Sequence, residues 1–150
     1  MEDVLIFTDG GCSGNPGPGG WAYLIAADGA VRERWGAERT TTNNRMELSA
    51  VIAALEAVLA DAALAGRPLT VYTDSQYVQK GISTWISSWK RNGWRTSGKE
   101  PVKNKDLWQT LDSLAARSNV DWRWVKGHAG NEYNERCDAM TQEAIASVRG

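Results

Sequence analysis

A chain of 150 residues, 42% hydrophobic and 23% charged, is long enough to bury a core as one domain over residues 1–150, and short for two. Its two cysteines, Cys12 and Cys137, lie far apart, and His128 is its one histidine, which excludes a disulfide scaffold, a thiolate zinc site and a multi-histidine metal centre. No apolar run approaches the roughly 20 residues that span a bilayer, and Met1-Glu2-Asp3 does not open a secretory leader, so a cytoplasmic protein with no membrane partner is expected.

The net charge of −1 conceals a polarised distribution. Residues 80–105 carry Lys80, Lys90, Arg91, Arg95, Lys99, Lys103 and Lys105 against Glu100 alone, a segment of +6 on a remainder of −7. A basic lobe on an acidic body can hold a polyanion in one place and cations in another.

In chain order, Val4-Leu5-Ile6-Phe7-Thr8 is an apolar, β-branched run that reads as a central strand closed by Asp9. Gly10 to Gly20 is so rich in glycine and proline that a loop is expected. Trp21 to Ala26 and Val31 to Trp35 flank the turn signal Asp28-Gly29, predicting an antiparallel hairpin. The periodicity of Leu48, Val51, Ile52, Leu55, Val58, Leu59 and Ala62 predicts a helix that Thr42, Asn43 or Asn44 can cap and that Gly66 and Pro68 end. Leu69 to Thr73 is a fourth strand, again closed by a carboxylate, Asp74. A helix from Ser75 to Lys80 and a short one around Ile82 to Trp89 follow, then a basic loop from Lys90 to Lys103 and a helix over about 104–116. Val120 to Val125 alternates as a fifth strand. A glycine-bracketed loop holds His128, and a last helix carries Tyr133, Cys137, Met140, Ala144 and Val148 on one stripe. The order predicts an α/β fold, a five-stranded mixed sheet with helices packed on it.

Two strands closing on aspartate place Asp9 and Asp74 at the carboxyl ends of strands, where ligands gather in such sheets. Glu47 is expected in the first turn of the strongest helix and Asp138 beside Cys137 on the last. Each alone is most simply a turn former, a cap or a solvated helix residue. Together they would repel and need cations to persist, and hard oxygen donors select Mg²⁺ or Mn²⁺. Two such ions about 4 Å apart can activate a water and stabilise a leaving oxygen at a phosphodiester.

The segments Phe7-Thr8-Asp9-Gly10-Gly11-Cys12, Gly14 to Gly20, Thr42-Asn43-Asn44-Arg45-Met46-Glu47-Leu48, Tyr72-Thr73-Asp74-Ser75-Gln76 and Trp124-Val125-Lys126-Gly127-His128-Ala129-Gly130 resemble the signatures of bacterial type 1 ribonuclease H. The likeness continues through Trp85, Trp89-Lys90, Gly93-Trp94, Asn104 and Asn134 to Asp138, in collinear order over nearly the whole chain.

The resemblance implies a ribonuclease H-like fold with a basic protrusion between the middle helices. It also implies an endonuclease that hydrolyses the RNA strand of RNA-DNA hybrids, as in replication primers and R-loops, leaving 5′-phosphate and 3′-hydroxyl ends. Asp9, Glu47, Asp74 and Asp138 would bind two Mg²⁺ ions, with Mn²⁺ able to substitute, and His128 would shuttle a proton or assist product release. Gly10, Gly11, Cys12, Asn15, Asn43, Asn44 and Gln76 resemble the family's contacts to the RNA strand, whose 2′-hydroxyl distinguishes it from DNA. The DNA strand would lie on Trp85, Trp89, Lys90, Arg91 and Trp94, with a phosphate at Thr42 and Asn104. The third member of that phosphate pocket, often arginine, falls at Thr40, with Arg39 one residue earlier. Another departure is Asn131-Glu132-Tyr133-Asn134 after the histidine loop, where relatives often read His-Pro-Glu-Asn. A hybrid-binding module without cleavage would lack a carboxylate, and all four are present; a transposase or resolvase leaves the asparagine and tryptophan-basic segments unexplained. No coiled-coil seam suggests an oligomer, so a monomer is expected.

Overall fold

The computed structural model describes residues 3–125 and 131–149. Its sheet has five strands in the order β3-β2-β1-β4-β5. They are β1 (Val4–Cys12), β2 (Gly17–Ala27), β3 (Ala30–Thr41), β4 (Pro68–Thr73) and β5 (Asn119–Trp124). β1, β2 and β3 pair antiparallel, and β4 lies parallel to both β1 and β5. The five-stranded mixed sheet expected from the sequence is therefore present.

The glycine-rich stretch is not a loop from Gly10 to Gly20. β1 continues to Cys12 and β2 begins at Gly17, with Gly11 opposite Gly20 and Cys12 opposite Gly19. Sheet pairing fixes these glycines because their missing side chains let both faces be covered closely; an added Cβ at Gly20 would press on Ala144 of the last helix. Asp9 consequently sits inside β1, opposite Ala22, and not at its end. The Asp28-Gly29 turn is as expected, both residues holding positive φ, 55° and 79°.

Helix α1 (Asn43–Leu59) lays Leu48, Val51, Ile52, Leu55 and Val58 on one face of the sheet, against Val4, Ile6, Leu69 and Val71. It stops at Leu59, before Ala62, where Asp61 turns its carboxylate to the Ala63 amide at 2.8 Å. Helix α2 (Gln76–Lys80) runs through a π-helical turn, Gly81–Trp85, into α3 (Ile86–Arg91), replacing the two separate helices expected there. Gly81 is required at that turn, since any Cβ would collide with the ring of the fully buried Trp108. Helix α4 (Lys105–Ala116) packs on α1 through Trp108, Leu111 and Leu114. Helix α5 (Glu132–Val148) covers the opposite face, where Cys137 and Met140 meet Phe7, Ala22 and Leu24. Its buried stripe also takes in Asn134, Thr141 and Ile145, while Tyr133 and Val148 are half-buried. Asn131 caps α5, its Oδ1 accepting from the Tyr133 and Asn134 amides at 2.9 and 3.1 Å, which gives the altered sequence after the histidine loop a local role.

Candidate active site

Strand register brings the first two carboxylates together. The parallel pairing of β1 with β4 ends with Phe7 opposite Tyr72, whose rings stack at 4.7 Å. Two further residues along each chain sets Asp9 beside Asp74, on strand lines about 4.8 Å apart. The third comes from a close approach of backbones. An added Cβ at Gly10 would stand 2.5 Å from the Met46 carbonyl oxygen and 2.6 Å from the Glu47 amide nitrogen, so only glycine lets β1 press on α1 at that point. This contact holds Glu47 at the same end of the sheet.

One carboxylate oxygen from each of Asp9, Glu47 and Asp74 lies within 4.8 Å of the other two. Asp9 is buried and the other two are half-buried. Burial, reinforced by the charges of Asp9 and Asp74, holds the Glu47 carboxyl well above the usual carboxylate range. Glu47 Oε2 is buried with no hydrogen-bond partner among the described residues. Three converging hard oxygens beside an orphaned Glu47 oxygen fit a divalent cation, which offsets the repulsion among the carboxylates.

The plainer roles for these residues are taken by neighbours. Ser75, not Asp74, caps α2, accepting from the Val78 amide at 3.1 Å. Thr42 caps α1, which puts Glu47 in the second turn, not the first, and out of reach of a capping box. Asp138, half-buried on α5, does not join the group of three. It is adjacent in sequence to Cys137, whose thiol donates to the Phe7 carbonyl at 3.4 Å. Burial first, then the charges of Asp9 and Glu33, pushes that thiol up to about 12. His128 lies outside the described residues. The described residues that precede it in sequence lie beside Asp74: the Val125 amide donates to the Thr73 carbonyl at 2.9 Å and Trp124 Nε1 to the Asp74 carbonyl at 3.2 Å.

The residues expected to meet RNA fall around the same end. Gly10, Gly11 and Cys12 end β1, and the Asn15 side chain accepts from the Asn43 amide at 3.3 Å, tying the β1–β2 turn to the start of α1. Asn43 and Gln76 are exposed and Asn44 half-buried, each in the first turn of its helix. Cys12 turns its thiol inward, to the Gly17 and Thr41 carbonyls at 3.2 and 3.3 Å.

Trp85, Trp89 and Trp94 are half-buried and form a chain of rings at 5.8 and 6.2 Å, with Trp89 set edge-on to Trp108 at 5.5 Å. Lys90 pairs with Asp112 of α4 at 3.3 Å, and Arg91 is exposed. Thr40 and Arg39 are both exposed on β3. Asn104 opens α4, and the guanidinium nearest its amide belongs to Arg45, at 3.2 Å. Arg45, Tyr77, Asp106 and Trp108 form a polar connection that periodicity does not reveal; the available signal was Arg45 within the Asn-Asn-Arg-Met-Glu segment.

The family model RNase H matches residues 1–146. The chain belongs to the ribonuclease H family. A ribonuclease H from Chromobacterium violaceum is 57% identical over 150 residues, covering 98% of this chain and 97% of that protein. LC9-RNase H1, described as a type 1 RNase H with the type 2 active-site motif, matches with a TM-score of 0.79 and 31% identity over 99% of this chain and 75% of its own. LC11-RNase H1, solved in complex with an RNA/DNA hybrid, matches with a TM-score of 0.73 and 25% identity over 97% of this chain and 98% of its own. Family membership makes the chain an endoribonuclease, and the three clustered carboxylates its candidate catalytic centre.

Proposed function

We propose that this chain hydrolyses the RNA strand of RNA-DNA hybrids with two Mg²⁺ ions held by Asp9, Glu47, Asp74 and Asp138, and that Mn²⁺ can replace them. The convergence of Asp9, Glu47 and Asp74 within 4.8 Å is the observation that carries this reading. When bound, the ions supply Lewis-acid stabilisation of the phosphodiester and lower the pKa of an attacking water. On this reading Asp9, the most buried of the three, is the shared ligand, Glu47 and Asp74 would complete the metal shells, and Asp138 would join them from α5 when the ions are bound. His128 assists proton transfer or product release. The products carry 5′-phosphate and 3′-hydroxyl ends.

Gly10, Gly11, Cys12, Asn15, Asn43, Asn44 and Gln76 read the RNA strand through exposed backbone and short polar side chains, the groups suited to a 2′-hydroxyl. The basic lobe takes the DNA strand. Its half-buried tryptophans offer ring faces to deoxyribose, Lys90 and Arg91 neutralise phosphates, and Thr42 and Asn104 hold one phosphate. On this reading the chain is one ribonuclease H domain acting as a cytoplasmic monomer on RNA in primers and R-loops. Among the described residues no helix is long and apolar enough to cross a membrane.

A labelled RNA-DNA hybrid tests the reading. Cleavage of its RNA strand is expected with Mg²⁺, silenced by a chelator, with double-stranded DNA left intact. Equal cleavage of single-stranded RNA would defeat the claim of hybrid specificity.

A further inference from the structure

Asn104 opens α4 at φ 60° and ψ 29°, a left-handed conformation, yet its side chain does not cap the helix it begins. Asparagine at such a position ordinarily gives its side chain to the first-turn amides. Here the side chain amide is held by other groups. Its Oδ1 accepts from Arg45 Nη1 at 3.2 Å, and its Nδ2 donates to the Tyr77 hydroxyl at 3.1 Å. A guanidinium can only donate, so the amide oxygen must face Arg45 and the amide nitrogen must face Tyr77.

Both partners are themselves braced. Asp106 accepts two bonds from Arg45, at 3.1 and 2.9 Å, a forked pair that fixes the guanidinium plane. Trp108 Nε1 donates to the Tyr77 hydroxyl at 2.9 Å, and that ring is fully buried. One Nδ2 hydrogen of Asn104 remains uncommitted within this set, on a half-buried residue at the foot of the basic lobe.

We infer that Arg45, braced by Asp106, is a positioning residue that fixes the Asn104 amide so that its second N–H is presented to the DNA strand; Arg45 sets hybrid affinity through Asn104 and not by touching phosphate itself. The inference rests on the proposed reading that Asn104 contacts a DNA phosphate. Arg45 is unsuited to direct contact because both of its Nη atoms are already engaged, Nη1 by Asn104 and Asp106 and Nη2 by Asp106.

Steady-state cleavage of a labelled hybrid by the full chain, with binding measured across a salt series, tests this in Arg45→Met, Arg45→Lys, Asp106→Asn, Asn104→Ala and the Arg45→Met/Asn104→Ala double variant. Each single variant is expected to raise KM about fivefold, the equivalent of one hydrogen bond, with kcat within about twofold. Arg45→Lys keeps the charge but not the fork, so it should give no rescue. The double variant should be no worse than Asn104→Ala. The salt slope should stay at the wild-type value, because no phosphate-bound cation is lost. Thermal melts of the same variants separate these effects from unfolding.

Asp106→Asn gives opposite signs under the two possible roles. Freeing the guanidinium tightens binding if Arg45 touches phosphate and weakens it if Arg45 acts by positioning. Tighter binding, additive effects in the double variant, or a slope reduced by about one in Arg45→Met would overturn the inference. An unchanged KM in Asn104→Ala would instead remove the phosphate contact on which it rests, and the inference with it.

Discussion

The acidic end of the molecule and its basic lobe are built by different means. At the acidic end, backbone places the chemistry: the register of β1 against β4 aligns Asp9 with Asp74, and the approach of Gly10 to the Met46 and Glu47 backbone adds the third carboxylate. Around the basic segment 80–105, side chains place side chains, through the rings of Trp85, Trp89 and Trp94 against Tyr77 and Trp108 and the contacts of Arg45 with Asn104 and Asp106. A site placed by backbone fails sharply when the backbone shifts. A surface built from many side chains weakens by degrees.

Asp9→Asn should produce the largest effect. It removes the buried charge shared by the group while keeping its shape, so kcat should fall by about 10³-fold or more with hybrid binding retained, as single-turnover cleavage and a binding titration would show. Loss of binding alongside activity would mean that the acidic end also holds the duplex.

Gly10→Val strikes the backbone placement directly. Its side chain must displace α1 from β1, so kcat should drop about 10²-fold and unfolding should come about 1–3 kcal/mol sooner. Full activity in this variant would show that the close approach does not position Glu47.

Replacing Lys90 and Arg91 with alanine should leave kcat nearly intact, raise KM and make the dependence of log affinity on log salt shallower by about one to two. Loss of the Lys90–Asp112 pair itself costs little, since Lys90 is exposed and Asp112 only half-buried. An unchanged slope would exclude these cations from the DNA surface.

The smallest effect concerns stability without metal. The Glu47 carboxyl is held above its ordinary value in the folded protein, so the folded state binds more protons than the unfolded one as pH rises past the unfolded value of about 4.3. Stability in chelator should therefore fall with rising pH through that window. Glu47→Gln should stabilise the metal-free protein at neutral pH by about 1 kcal/mol, with the gain disappearing below the unfolded value. A variant less stable than wild type at pH 7 in chelator would contradict the repulsion.

Much of the acidic end was legible because its determinants are local. Strand runs closing on Asp9 and Asp74 and an amphipathic helix entered near Glu47 are patterns of the chain itself. Composition predicts a loop for the glycine-rich stretch because it reports what glycine permits, whereas the neighbours decide. Gly11 and Gly20 are held in strands by pairing and by the packing of α5, which no local window contains. Glu47 lies in the second turn and not the first because, of the three residues that could cap α1, it is Thr42 that accepts from the Arg45 amide. The Arg45, Asn104 and Tyr77 network joins α1, α4 and α2 across long separations in sequence, and each residue taken alone is an ordinary surface or cap residue.

The most direct test is a crystal of the protein grown with Mn²⁺ and measured for anomalous scattering. Strong peaks are expected within coordination distance of Asp9, Glu47 and Asp74, with Asp138 drawn toward one of them. Well-ordered density for those carboxylates with no anomalous peak among them would contradict a metal-dependent nuclease centre at this end of the sheet.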